Sequence, residues 1–214
     1  MVGVRVFGAF TVVHDAGILE RFPTGRCREV LAFLVLAAGD SVPRRWLIEN
    51  VWPDQRPELC GNRLSVTLTM LRRCLEEEGV EAEALFVSDR HALRLTAGVD
   101  NEWARFWVLE AQARSADDPA AREEAGLALL ALHRAPLLVE VAHDWAAMYR
   151  LEALNSCKDA ANWLASRYLK LGLPERAEVY AAMAASGQFG GAELARAEGF
   201  EPPTPSSEDW CSIH

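Results

Sequence analysis

The segment from residue 57 to residue 79, PELCGNRLSVTLTMLRRCLEEEG, constrains the fold most, because its apolar residues recur at helical spacing. One face of the predicted helix carries Leu64, Leu68, Leu71 and Leu75. The opposite face, or its border, should carry Arg63, Thr67, Met70, Arg73 and Cys74. A helix with one packed face and one partly cationic face suits the major groove of DNA, but many ordinary core helices share this pattern. The flanking segments therefore decide between the two interpretations.

Strand patterns and a buried helix precede this segment. Residues 2–20 alternate between apolar and polar, with turn residues at Gly8 and Asp15–Gly17, and they predict three short antiparallel strands. A helix should begin near Arg26 and end before Gly39. Its sequence EVLAFLVLAA is apolar on nearly every face, so we expect this helix to be buried.

A second helix, a loop and a hairpin complete the first half of the chain. Pro43 suits the first position of a helix that we expect to continue to Trp52. The two prolines in residues 53–57 predict a loop. Residues 84–96 predict a hairpin with its turn at residues 89–91. Three helices followed by a hairpin form a winged helix, in which the hairpin is the wing.

The charge of the chain is acidic and unevenly distributed. The net charge of −9 argues against strong non-specific binding of nucleic acid. Residues 1–100 hold 12 Arg and 14 Asp or Glu, a net charge of −2, whereas residues 101–214 hold 10 Lys or Arg and 17 Asp or Glu, a net charge of −7. The cations of residues 1–100 are all arginines, which suit bidentate contacts with bases and phosphates.

The composition favours a globular protein of the cytoplasm with no membrane partner. Half of the residues are hydrophobic and a quarter are charged, no apolar run has membrane-spanning length, and the start MVGVRVFGAF is not a signal peptide. The cysteines are scattered and should be free thiols: Cys27, Cys60, Cys74, Cys157 and Cys211. Because no metal-ligand spacing and no catalytic motif occurs, we predict a non-enzyme without metal or cofactor.

Several segments resemble one family of bacterial transcription activators. The sequence GDSVPRRWLIENVWPD, followed by RLSVTLTMLRRCL and a short hairpin, resembles the OmpR-type winged helix of the Streptomyces antibiotic regulatory protein (SARP) family. The segments VRVFGAFTV and LAFLVLAAG are similar to that family as well. The resemblance implies an α+β fold: an N-terminal winged helix-turn-helix, followed by an all-α, tetratricopeptide-like domain.

The second half resembles the bacterial transcriptional activation domain of the same family. ALHRAPLLVEVAHDWAAMYRLEAL resembles the stretch where a helix ends at a Pro–Leu–Leu turn and a Trp opens the next helix. WLASRYLKLGLPERAEVYAAMAAS resembles a tetratricopeptide-like helical pair, with matching residues at Leu164, Ala165, Tyr168, Gly172, Ala177 and Ala184. We therefore predict a winged-helix DNA-binding domain at 1–99, a helical activation-like domain at 100–197 and a disordered, proline-rich tail at 198–214. Residues 1–97 and 102–186 should each unfold cooperatively as a separate unit.

The resemblance also implies a set of DNA-contacting residues. The third helix would enter the major groove, and the hairpin would reach the minor groove. The expected contact residues are Arg44, Arg45, Asn62, Arg63, Ser65, Val66, Thr67, Thr69, Arg72, Arg73, Arg90 and Arg94. Asp54, Gln55 and Arg56 lie where OmpR-type activators have a loop that contacts RNA polymerase. Ser65, Thr69 and Met70 occupy positions where the family usually has Arg, His or Gln, so the cationic face is thinner here.

Two functions from different classes are compatible with these features. The first is a sequence-specific DNA-binding transcriptional regulator of the SARP type, which binds double-stranded DNA as a homodimer or in tandem on direct repeats and contacts RNA polymerase. The second is an adaptor that keeps the fold, does not bind DNA, and regulates another transcription factor or the polymerase through protein contacts. The intact architecture favours the first, and the acidic charge favours the second. A third hypothesis is that the chain is a fragment of a longer regulator.

Overall fold

The computed structural model describes residues 1–55 and 57–189, with backbone only for residues 57–60. Arg56, residues 190–197 and the predicted tail at 198–214 lie outside the described residues. The elements in chain order are β1 (Gly3–Arg5), β2 (Thr11–His14), β3 (Gly17–Leu19), α1 (Gly25–Leu36), β4 (Val42–Pro43), α2 (Arg44–Val51), α3 (Pro57–Glu77), α4 (Ala82–Leu85), β5 (Phe86–Ser88), β6 (Ala92–Leu95), β7 (Asp100–Asn101), α5 (Glu102–Ser115), α6 (Pro119–Leu132), α7 (Asp144–Lys170) and α8 (Pro174–Ser186).

The three predicted N-terminal strands are confirmed, and a fourth strand joins them. The sheet has the order β3-β2-β1-β7, with β1–β2 and β2–β3 antiparallel. Strand β7 follows the winged helix in the sequence and pairs in parallel with β1, with Gly3 opposite Asp100. The sequence did not predict β7, because two polar residues cannot show the alternation of a strand.

The segment between β3 and β7 is a winged helix with small corrections to the predicted boundaries. Pro43 ends β4 and is the N-cap residue of α2, rather than its first residue. Pro57 is the first residue of α3, so the predicted loop is shorter by one residue. The predicted strand at residues 84–88 begins only at Phe86, because α4 precedes it. A second sheet, β4-β6-β5, joins the hairpin to the N-terminus of α2.

The C-terminal half consists of helices that pack as two successive antiparallel pairs in the described chain, α5 with α6 and α7 with α8. The predicted turn between α7 and α8 is confirmed: Gly172 adopts a left-handed conformation with φ of 72°, and Pro174 opens α8. Tyr168 and Tyr180 stack with their ring centroids 5.4 Å apart. None of the described helices is long and apolar enough to cross a membrane.

The two halves share one continuous core. Phe7 follows β1 and packs against Phe106 of α5, with ring centroids 5.1 Å apart. Phe33 of α1 packs against Trp145 of α7 at 4.0 Å. The backbone N–H of Leu138, in the turn before α7, donates to the Val6 carbonyl at 2.8 Å. The division at residues 99 and 100 remains a prediction, and it falls immediately before β7, which is hydrogen-bonded to β1.

Candidate nucleic-acid interface

Helix α3 is anchored by the leucines that the sequence predicted. Leu64, Leu68, Leu71 and Leu75 are each at most 2% exposed. They pack against the rest of the winged helix, and α1 and α2 are the helices that α3 contacts most. Burial of this stripe fixes the rotation of α3 about its axis. The residues on the opposite side are therefore held facing solvent.

Thr67 does not lie on the solvent-facing side of α3, so its predicted place opposite the leucines was wrong. It is only 7% exposed, and its backbone carbonyl lies 3.7 Å from the Cys27 thiol of α1, which donates to it. The physical reason is helical geometry, since Thr67 follows Leu64 by three residues and precedes Leu71 by four. These offsets place Thr67 beside the leucines rather than opposite them.

Several residues in the described first half of α3 project into solvent. Asn62, Arg63 and Val66 are exposed. The structure records no hydrogen bond or ion pair for the side chains of Asn62 and Arg63 among the described residues. An arginine without an acidic partner keeps all five N–H donors available to a ligand. Val66 lies diametrically opposite the leucine stripe.

The hydroxyl groups on α3 are partly committed to the helix itself. Ser65 Oγ donates to the Gly61 carbonyl at 3.2 Å, and Thr69 Oγ1 donates to the Ser65 carbonyl at 3.0 Å. Each hydroxyl has a single proton, so these side chains present only acceptor lone pairs outward. They can accept a hydrogen bond from a base amino group without losing their contact with the helix.

The two later arginines of α3 are not equivalent. Arg72 is half-buried: its guanidinium lies 5.4 Å from the centroid of the Phe86 ring and donates to Ser88 Oγ at 2.8 Å. Arg72 therefore joins α3 to the hairpin. Arg73 is exposed and paired with Glu77 at 2.9 Å. A phosphate would have to compete with Glu77 for Arg73, which lowers the net gain from such a contact.

The wing is tied to the N-terminus of α2. Arg44 Nε donates to the Asp89 carbonyl at 2.8 Å, and the Arg44 N–H donates to the His91 carbonyl at 2.9 Å. The Asp89 carboxylate closes the turn by accepting from the N–H groups of His91 and Ala92. These two backbone hydrogen bonds hold the pKa of the Asp89 carboxyl below its usual value.

Arg44 therefore mainly holds the wing turn in place through its contacts with Asp89 and His91. Its neighbour Arg45 is exposed and pairs with Glu49 at 2.8 Å. Arg90 and Arg94 lie on the hairpin and are exposed. Neither has an ion-pair partner in the part of the chain that the structure describes. The Arg72 contacts show that the hairpin packs against the second half of α3. Arg63 on α3, and Arg90 and Arg94 on the hairpin, are exposed cations without an acidic partner in the described chain.

The loop between α2 and α3 is only partly described. Asp54 and Gln55 are exposed, whereas Trp52, which opens the loop, is 6% exposed and belongs to the core. Arg56 lies outside the described residues. The loop therefore offers at least two polar residues to a partner.

The residues that position the wing were not predicted from the sequence. Asp89 and Ser88 hold the hairpin to α2 and α3 through the contacts above. An Asp at the first position of a tight turn is a recognisable signal, because its side chain commonly accepts from backbone N–H groups two or three residues later. The contact between Ser88 and Arg72 gives no local sequence signal, because the two residues are distant in sequence.

Comparison with known proteins supports the fold. No protein-family model and no curated protein matches the sequence. Mycobacterium tuberculosis EmbR, solved in complex with a low affinity phosphopeptide, is a structural neighbour with a TM-score of 0.71 and 18% sequence identity. The match covers 92% of this chain and 53% of the EmbR chain, so this chain spans about half the length of that neighbour. At this identity the likeness concerns the fold alone.

Proposed function

We propose that this chain is a sequence-specific DNA-binding transcriptional regulator of the SARP type. In this proposal α3 enters the major groove, and the hairpin β5–β6 approaches the adjacent backbone and minor groove. The observation that carries the proposal is that Arg63 on the first half of α3, and Arg90 and Arg94 on the wing, are exposed without acidic partners among the described residues. The EmbR-like fold supports the same reading at the level of architecture.

The proposed partners follow from this placement. Double-stranded DNA is the main ligand, bound by a homodimer or by copies in tandem on direct repeats. Few cations on the surface are available, so we expect the affinity to fall only shallowly with salt concentration for a winged helix. Asp54 and Gln55 are the described residues proposed to contact RNA polymerase.

An adaptor that does not bind DNA is the second candidate, and specific contacts favour it. Arg45 and Arg73 are engaged by Glu49 and Glu77, and Arg72 is committed to the hairpin. These pairs reduce the positive charge that the surface can offer to phosphates. The adaptor would use the same exposed surface to bind another regulator.

Selection of DNA by the purified full chain at physiological salt separates the two candidates. Random duplexes that remain bound would be amplified and sequenced. We expect one enriched motif, because base contacts rather than general charge must supply the affinity of an acidic chain. No enriched motif, with no binding to any duplex at low salt, would overturn the proposal and leave the adaptor.

A charge-matched pair of variants assigns the binding surface. The triple variant Arg63→Ala, Arg90→Ala and Arg94→Ala should lose the motif and at least about tenfold in affinity, since one good base contact alone is worth about 1–3 kcal/mol. The control removes three cations from the helical half: Arg105→Ala, Lys158→Ala and Lys170→Ala. It should keep the motif. Equal losses in both variants would show general charge attraction instead of recognition by this surface.

A further inference from the structure

The outermost point of α3 is apolar. Val66 is 52% exposed and lies on the side of the helix directly opposite the buried leucines. Valine is a weaker helix former than Arg, Lys, Gln or Glu, because its branched side chain loses rotamer freedom in a helix. An exposed valine at this position is therefore not explained by helix propensity. Its exposure is informative because it lies at the position that would reach farthest into a groove.

The groups around Val66 define what it can meet. Asn62 precedes Val66 by one turn, and Thr69 follows it by nearly one turn. The hydroxyl proton of Thr69 is held by the Ser65 carbonyl. The outer side of α3 around Val66 therefore offers two apolar side chains, Val66 and the 36% exposed Met70, together with the amide of Asn62 and hydroxyl acceptors. Arg63, three residues before Val66, is the nearest cation of α3.

This combination matches one base pair better than the others. In the major groove, the C5-methyl group of thymine is the apolar feature among the base edges. The adenine paired with it presents an N6 amino donor and an N7 acceptor, which match the carboxamide of an Asn. A G·C pair offers no methyl group to Val66, and its recognition would fall to Arg63 at the side of the helix.

We propose that Val66 reads the C5-methyl group of thymine, so that the element bound by this chain carries a thymine where the outermost point of α3 meets the groove. This inference rests on the proposed function and specifies its base chemistry. The valine is exposed before binding and loses its contact with water when a methyl group covers it. The same burial could occur against another protein, and the experiment below distinguishes the two.

The test replaces thymine by deoxyuridine, one position at a time, in a duplex that carries the motif enriched by the selection above. This change removes one methyl group and leaves base pairing unchanged. We expect one or two positions at which deoxyuridine weakens binding by the full chain about fourfold, the equivalent of one buried methyl group. Val66→Ala should reduce this effect to less than about twofold at the same positions, whereas Val66→Ile should retain it.

Val108→Ala is the matched control, because Val108 is a similarly exposed valine on α5, at 58%. This variant should keep the full sensitivity to deoxyuridine. A motif that binds equally well with every thymine replaced would overturn the inference and leave the proposed function intact. Sensitivity that survives in Val66→Ala would also overturn it, by assigning the methyl contact to another residue. Absence of any selected motif overturns both proposals, and the exposed valine then belongs to a protein interface.

Discussion

Arg63 and Arg73 lie on the same helix but have different environments, so their removal should have different consequences. Arg63 is near the start of α3 and has no ion-pair partner in the described chain, which leaves its guanidinium free for a bidentate contact with guanine. We expect Arg63→Ala to flatten the preference at one motif position and to cost about 1–3 kcal/mol of binding free energy. Selection with the variant protein, followed by titration of the preferred duplex, measures both quantities.

Arg73→Ala serves as the comparison on the same helix. Arg73 pairs with Glu77 across the exposed surface, at 2.9 Å. If Arg73 contacts a phosphate, its loss should weaken all duplexes alike, leave the motif unchanged, and reduce the slope of log affinity against log salt by roughly one unit. A changed motif in Arg73→Ala, or an unchanged motif in Arg63→Ala, would contradict this division of roles.

His133 should make the stability of the fold depend on pH. It is 6% exposed, and its ring lies 5.2 Å from that of Phe7 and 5.5 Å from that of Phe189. Burial lowers the pKa of His133 below its usual value of 6.5, because this environment disfavours the charged imidazolium. The unfolded chain therefore binds this proton more readily than the folded chain. The contribution is fully present above pH 6.5 and is lost as the pH falls through the lower folded pKa.

We accordingly expect the free energy of unfolding to decrease between pH 7 and pH 5, by at most about 1.4 kcal/mol per pH unit from this residue. His133→Phe preserves the aromatic contacts and should remove that part of the decrease. Urea titrations of both proteins at several pH values provide the measurement. His91→Phe is the control, since His91 is exposed in the wing turn, and it should keep the pH dependence of the parent chain. A parallel pH dependence in His133→Phe would assign the effect to other groups.

At the scale of elements, two glycines with contrasting backbones test the geometry of the helices. Gly172 adopts a φ of 72° in the turn after α7, and a Cβ there would meet no described atom within 4 Å. Gly172→Ala should therefore cost only the backbone strain of the left-handed conformation, about 1 kcal/mol. Gly61 lies inside α3 and also has no described atom within 4 Å of the position of a Cβ. Gly61→Ala should stabilise the chain by up to about 1 kcal/mol.

Urea unfolding of the two variants at neutral pH measures these opposite shifts. Because neither substitution introduces a steric contact with described atoms, the difference between them reports backbone conformation alone. Stabilisation by Gly172→Ala would mean that the turn can adopt a different conformation. Destabilisation by Gly61→Ala would mean that α3 is not helical at Gly61 in solution.

Elements with an apolar pattern were predictable from the sequence, whereas the two-residue strands were not. The leucine stripe predicted α3, and the run EVLAFLVLAA predicted the buried helix α1. Strands β4 and β7 have two residues each, and their pairing depends on contacts that form only in the folded chain. No local pattern can reveal such a strand.

The candidate site follows the same rule. The exposed positions of Asn62, Arg63 and Val66 followed from helical periodicity. The same periodicity is sufficient to predict the burial of Thr67, because Thr67 lies three residues after Leu64 and four residues before Leu71. The commitment of Arg72 to Phe86 and Ser88 could not be predicted, because it depends on the docking of the hairpin against α3.

At the scale of the whole molecule, Glu102 joins the two halves. It is 1% exposed and lies at the start of α5, directly after β7. One carboxylate oxygen accepts from the N–H groups of Val6 and Phe7 at 2.7 and 3.1 Å, and the other accepts from Arg134 at 2.7 Å. These contacts connect the chain after β1 to α5 and to the end of α6. They favour one cooperative unit over the two separate units expected from the sequence.

We therefore expect the full chain to unfold in a single transition. Glu102→Gln should lower the free energy of unfolding by about 2–4 kcal/mol. The neutral amide has only one acceptor oxygen and carries no negative charge, so it cannot replace the carboxylate as the acceptor for all three donors. Hydrogen exchange in increasing urea, followed by mass spectrometry, can report α1 and α7 separately. Both should open with the same free energy, and both should shift equally in Glu102→Gln. The exposed Glu152→Gln on α7 is the control and should stay within about 0.5 kcal/mol of the parent chain. Independent opening of α1 and α7, with a shift confined to one of them, would instead support two separately folding domains divided near residue 99.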